Sequence, residues 1–227
     1  MADYIFKPAL ILSIILFAIG LLFSFYLSPD DYQQGSTVRI MYVHVPSAWL
    51  ALLTYAIMTL YSIMALAFRI PFGFIFNTAV APIGAVFTLI CIISGSLWGK
   101  PMWGTWWVWD ARLTSVAILF IIYLIIIFIN LSFENRVVRE KIVAIFVLVG
   151  SINLPIVKFS VDWWNTLHQG ASITTSGSSI DSEMLYALPI MLIALLFISF
   201  AIFGRNIQFE ILNRSSNTKM IKEVLNG

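Results

Sequence analysis

Apolar residues gather into six runs along the chain, at about 9–27, 46–68, 79–97, 113–131, 142–158 and 184–204, and most charges fall between them. Crossing the hydrocarbon core of a bilayer takes about 20 apolar residues in a helix. Each run therefore predicts one transmembrane helix. The whole chain, 1–227, reads as a single polytopic domain of an all-α integral membrane protein. The fifth run is short and interrupted by Asn153 and Pro155. Such breaks are tolerated where neighbouring helices or water satisfy the freed backbone groups. Lys7 precedes the first run as in a signal peptide, but the run is too long for an h-region and "FSFYLSPDD" offers no small-residue cleavage site. It predicts a retained anchor. The polar tail from Arg205, with "NRSSNTK" in its middle, predicts a short solvated or interfacial segment.

Composition supports the same class. The chain is 60% hydrophobic and 11% charged, too little charge for a soluble domain of this length. Six spans place the amino terminus, 69–78, 132–141 and 205–227 on one side. The other side receives 28–45, 98–112 and 159–183. Lys7, Arg69, Arg136, Arg139, Lys141, Arg205, Arg214, Lys219 and Lys222 fall on the first side, but only Arg39, Lys100, Arg112 and Lys158 on the second. The positive-inside rule then predicts that both termini are cytoplasmic. The net charge of +2 follows from this topology and gives no reason to expect a nucleic-acid partner. Cys91 is the single cysteine and lies in the third run. That excludes a disulfide framework or a CxxC redox pair and suits a small buried hydrophobe.

The candidate chemistry collects on one face. Both histidines, His44 and His168, fall on the non-cytoplasmic side, and so do all eight tryptophans. Five of these, Trp98, Trp103, Trp106, Trp107 and Trp109, crowd the segment "WGKPMWGTWWVWD". An aromatic belt forms at both membrane interfaces, so a one-sided set is better explained by a surface for a flat, largely apolar ligand. Gly99, Pro101 and Gly104 argue against helix at the start of this segment. Helix from about 103 would align Trp103, Trp106, Trp107 and Asp110 at i, i+3, i+4 and i+7. Asp110 is a candidate end to that platform and, alternatively, an ion pair for Arg112 or a cap for the helix starting near Leu113. Pro46 suits the first turn of a helix, which puts His44 at the outer mouth of the second span. Trp164 lies four residues before His168 and shares its face if that stretch is helical.

Two histidines without a cysteine on their face fall short of the three or four ligands zinc requires, unless Asp110 or Asp162 joins them. A haem iron needs one or two axial ligands, commonly histidine, and its macrocycle is flat and apolar. Tryptophan for the ring, histidine for the iron and Arg39, Lys100, Arg112 or Lys158 for the propionates form a coherent set.

At these residues the chain resembles a known family. "WGKPMWGTWWVWDARLTS" is similar to the WWD signature of haem-handling membrane proteins in cytochrome c maturation. "HVPSAW" and "WWNTLHQGAS" resemble the segments around the two histidines of the haem exporter protein C family within that group, and the three blocks occur in order. The resemblance implies a multi-pass protein of the bacterial inner membrane with an extracytoplasmic WWD segment at 98–112. It implies haem b as a transient, substrate-like ligand on the periplasmic side, with His44 and His168 as axial iron ligands. Trp98, Trp103, Trp106, Trp107, Trp109, Asp110 and Arg112 would line the haem. The implied partners are membrane lipid, a membrane-anchored haem chaperone, the ATPase and membrane subunits of an ABC-type complex, and a small single-helix protein. "GSLWGKP" has neither the Walker spacing nor a following Ser or Thr, so ATP hydrolysis is expected in a partner. A haem-transfer component that is not itself an enzyme is the leading expectation. A transmembrane haem exporter subunit and a bis-histidine membrane redox protein are the alternatives.

Overall fold

The computed structural model describes residues 3–170, 172–174 and 177–226, with side chains from 6 to 215 among them. Helix α1 (Asp3–Leu22) runs into a π-helical turn (Phe23–Leu27), and a 3-10 turn (Ser36–Ile40) leads into α2 (Met41–Ala67). Then follow α3 (Phe72–Trp103), α4 (Ala111–Ser132), α5 (Arg136–Gly150) and α6 (Asn153–Trp163). A two-stranded hairpin, β1 (Ile173–Thr174) with β2 (Gly177–Ser178), and the short α7 (Ser182–Leu185) precede the long α8 (Ala187–Asn226). Among the described residues, six helical stretches are long and apolar enough to cross a membrane, with α5 and α6 forming one of them. The chain is an all-α, six-span membrane protein.

The outward faces match that class. Ile11, Leu60, Phe128 and Ile152 are each at least 60% exposed, a contiguous apolar exterior that a water-soluble chain does not carry. The interior is knit by α2 and α3, with α4 and α5 packed against them, while α1 pairs with α8. Two fully buried tyrosines meet edge to face at 5.3 Å. Tyr55 donates to the Val147 carbonyl at 3.2 Å and Tyr123 to the Ala51 carbonyl at 2.9 Å, so neither hydroxyl is stranded in apolar surroundings. Gly84 and Gly150 leave the space these rings fill, because a Cβ at either would strike a tyrosine. Asn153 Nδ2 donates to the Ser115 carbonyl at 2.8 Å and joins α6 to α4 where the fifth span breaks.

The helix ends differ from the sequence expectation in instructive ways. The fifth span is interrupted at Ser151 and Ile152, as Asn153 and Pro155 suggested, and Pro155 occupies the first turn of α6, where no backbone donor is needed. Helix α2 starts at Met41 instead of 46, so Pro46 lies inside it. Helix α3 runs to Trp103 instead of 97, through Gly99 and Pro101. Pro101 leaves the Leu97 carbonyl without its intrahelical donor, while Gly99 admits the Trp103 ring, whose Cε3 would lie 2.8 Å from an added Cβ. The expected solvated tail is helical as well: α8 continues to Asn226. Toward the carboxyl-terminal end of α8, Arg214 pairs with Glu140 at 2.8 Å and Glu210 at 2.9 Å. The side chains of Lys219 and Lys222 lie outside the described residues.

Candidate functional site

The site forms at the end of the bundle where α2 begins and α3 ends. His44 sits in the first turn of α2 and its ring faces α3. Its Nδ1 lies 3.1 Å from the Cys91 carbonyl and 3.1 Å from Ser94 Oγ. Ser94 Oγ itself donates to the Ile90 carbonyl at 2.6 Å, so it presents a lone pair to the imidazole. Both neighbours of Nδ1 are thus acceptors, which places the proton on Nδ1 and leaves Nε2 with its lone pair. Gly95 lets the ring lie close, since a Cβ there would sit 3.0 Å from His44 Cε1.

Trp98 and Trp103, on the last turns of α3, each meet one histidine. Trp98 packs edge-on against His44 at 5.7 Å, and its Nε1 donates to Gln34 Oε1 at 2.8 Å. Trp103 lies 6.4 Å from the His168 ring. The charge of His168, 124 positions away in the sequence, bears on His44, and that of Arg112 bears on both. The fold therefore brings them to one locality. Burial is the main influence on His168 and holds its pKa below the ordinary histidine value. Arg112 acts in the same direction, while the bond to the Gln169 carbonyl and the Asp110 carboxylate oppose it. The balance favours the neutral imidazole, the form that can donate electrons to a metal.

After Trp103 the chain leaves the helix. Gly104 takes a left-handed conformation (φ 76°) and its N–H closes on the Lys100 carbonyl at 3.0 Å, a glycine C-cap. Residues 104–110 are irregular, so Trp103, Trp106, Trp107 and Asp110 do not share a helical face. The tryptophans divide instead. Trp98 and Trp103 belong to α3, and Trp106, Trp107 and Trp109 to the strap that crosses to α4. In the strap Trp107 and Trp109 meet edge to face at 5.7 Å, and Lys100 Nζ stands 5.8 Å from the Trp106 ring centre. Trp107 Nε1 is buried without a protein acceptor among the described residues. Trp109 is 82% exposed.

Asp110 ends the strap as the N-cap of α4: its Oδ1 accepts from the Leu113 N–H at 2.7 Å. Its Oδ2 accepts from the Thr166 hydroxyl. Arg112 reaches across to α6, donating to Ser160 Oγ at 3.1 Å and to the Lys158 carbonyl at 3.3 Å, and makes no ion pair with Asp110 among the described residues. Arg39 pairs with Asp30 at 2.9 Å, and Lys158 is exposed. Helix α6 ends at Trp163, so Trp164 and His168 share no helical face. Thr166, Ser94 and Gln34 contact candidate site residues without carrying a sequence signal, because their partners are 56, 50 and 64 positions away.

Fold and site together define a multi-pass membrane protein with a tryptophan-rich strap and two imidazoles at one end of its bundle. Comparison with known proteins makes this specific. The family described as Heme exporter protein C matches residues 1–222. Heme exporter protein C of Bradyrhizobium diazoefficiens is 50% identical over 190 residues, spanning 82% of this chain and 72% of that protein. The Escherichia coli K12 protein of the same name is 45% identical over 174 residues, 77% of this chain and 70% of that one. A putative cytochrome c biosynthesis ccmC-like mitochondrial protein of Marchantia polymorpha is 49% identical over 176 residues, 78% and 74% of the two chains. The chain belongs to the Heme exporter protein C family.

Proposed function

We propose that this protein holds haem at the outer face of the bacterial inner membrane, ligated by His44 and His168, and hands it to a membrane-anchored haem chaperone during cytochrome c maturation. The observation that carries the reading is the paired placement of the histidines, each against a tryptophan of the α3 end, with the proton of His44 committed to Nδ1. An imidazole whose Nδ1–H is held by the protein is oriented to ligate a metal through Nε2. Trp98, Trp103, Trp106, Trp107 and Trp109 supply aromatic surface for the macrocycle. Arg112, with Arg39, Lys100 and Lys158 around the rim, supplies positive charge for the propionates. The unpaired indole N–H of Trp107 fits the same ligand: a buried donor left unmade costs about 1–3 kcal/mol, and a carboxylate acceptor removes that cost. Haem b is here a cargo, and the ATPase, membrane and small single-helix subunits of an ABC-type complex are the proposed assembly.

The test is to purify wild type, His44→Ala and His168→Ala and record absorption spectra with and without the chaperone. Each variant is expected to lose most co-purifying haem, and added imidazole to restore part of it by filling the vacant iron position. Wild-type spectra in both variants would overturn the ligation. Haem that cycles redox state and stays bound in the presence of the chaperone would favour the redox reading over transfer.

A further inference from the structure

The strap and the loop bearing His168 are joined by a small hydrogen-bonded relay that the haem reading does not require. Asp110 Oδ1 caps α4 through the Leu113 N–H, and Oδ2 accepts from Thr166 Oγ1. Thr166 Oγ1 in turn accepts the backbone N–H of His168 at 3.0 Å. A carboxylate has acceptors on both oxygens, and here one oxygen serves the helix while the other serves the loop. Among the described residues, the other hydrogen bonds near the histidine, from His168 Nδ1 to the Gln169 carbonyl and from Gln169 Nε2 to Ser172 Oγ, stay inside the loop. Trp164, Leu167 and Gln169 beside it are exposed, so they do not anchor the segment by packing. His44, by contrast, is fixed by α3 through two contacts to Nδ1.

We propose that Thr166 is a positioning residue that, through Asp110, latches His168 at the site, and that the aspartate ending the tryptophan-rich strap acts through this latch and not by touching haem. The inference rests on the ligation reading above. Breaking the latch leaves the His44 ligand in place and frees the His168 ligand, so it should change coordination while leaving one imidazole on the iron. Outer partners that orient a ligating histidine are worth roughly 10–100-fold in affinity, and that range is the expected loss.

The experiment compares Thr166→Val, Thr166→Ser, His168→Ala and the double variant Thr166→Val with His168→Ala, in the full chain purified in detergent. Haem content, absorption spectrum and retention on dilution are the readouts. Thr166→Val should shift the spectrum from two imidazole ligands to one, with free imidazole restoring the wild-type form. Thr166→Ser, which keeps the hydroxyl, should resemble wild type. Adding Thr166→Val to His168→Ala should change nothing further, because a latch without its ligand has nothing to hold. A wild-type spectrum for Thr166→Val, an equal loss in Thr166→Ser, or additive losses in the double variant would each overturn the latch. If His168→Ala itself keeps the wild-type spectrum, the ligation reading fails instead, and the two failures are distinguishable.

Discussion

Trp98 and Trp103 touch the histidines from the end of α3, whereas Trp106 and Trp107 belong to the strap that follows Gly104. Aromatic contacts contribute about 0.5–1.5 kcal/mol each beyond area burial. Loss of one ring should therefore weaken haem binding by a factor of roughly five, at about 1.4 kcal/mol per decade. Trp103→Ala, Trp106→Ala and Trp107→Ala are each expected to keep a two-imidazole spectrum at high haem, to lose haem faster on dilution and to form less chaperone adduct. The phenylalanine variants should be milder. Wild-type retention and transfer in all three alanine variants would return these side chains to the role of a membrane belt.

At the scale of elements, the decisive feature is where α3 stops. Its continuation through Gly99 and Pro101 carries Trp103 to His168, and the left-handed Gly104 then turns the chain into the strap. A side chain in the left-handed region costs roughly 1–2 kcal/mol, less for asparagine than for other residues. Gly104→Ala should lower Tm in detergent by about 2–4 °C per kcal/mol lost and weaken haem retention along with it, since the whole strap pivots on this residue. Gly104→Asn should fall between that variant and wild type. An unchanged Tm and unchanged haem retention in Gly104→Ala would show that the strap does not depend on this turn. Helix α4 begins just as definitely, because Asp110 caps it. One short run of residues therefore ends one span, starts the next and carries three tryptophans between them.

For the molecule as a whole, the alternation of six spans puts the α3 end, the α4 start and the 164–181 loop on one side, and the α4–α5 turn on the other. The lysine and arginine split predicts that the first side is the outside. In a Cys91→Ser background, which touches only a buried thiol, single cysteines at the exposed Gln33 and Ser179 should react with an impermeant thiol reagent in intact spheroplasts. A cysteine at the exposed Glu134 should react only after permeabilisation. The reverse pattern would move the site to the cytoplasmic face.

The six spans and the break near Pro155 were legible in the sequence. Hydropathy and charge bias are local quantities, and the bilayer converts them directly into topology. The extent of α3 was not legible, because glycine and proline propensity speaks against helix at 99–101 while the packing of Trp103 onto Gly99 speaks for it. Only tertiary structure decided which nitrogen of His44 is left free, since the Cys91 carbonyl and Ser94 hydroxyl that hold Nδ1 come from another helix, 47 and 50 positions away. The same holds for Asp110 and Thr166, which meet across 56 positions. A hydrogen bond requires atoms within about 3 Å, and such closeness between distant parts of a chain is set by how helices pack, which no local pattern of residues encodes.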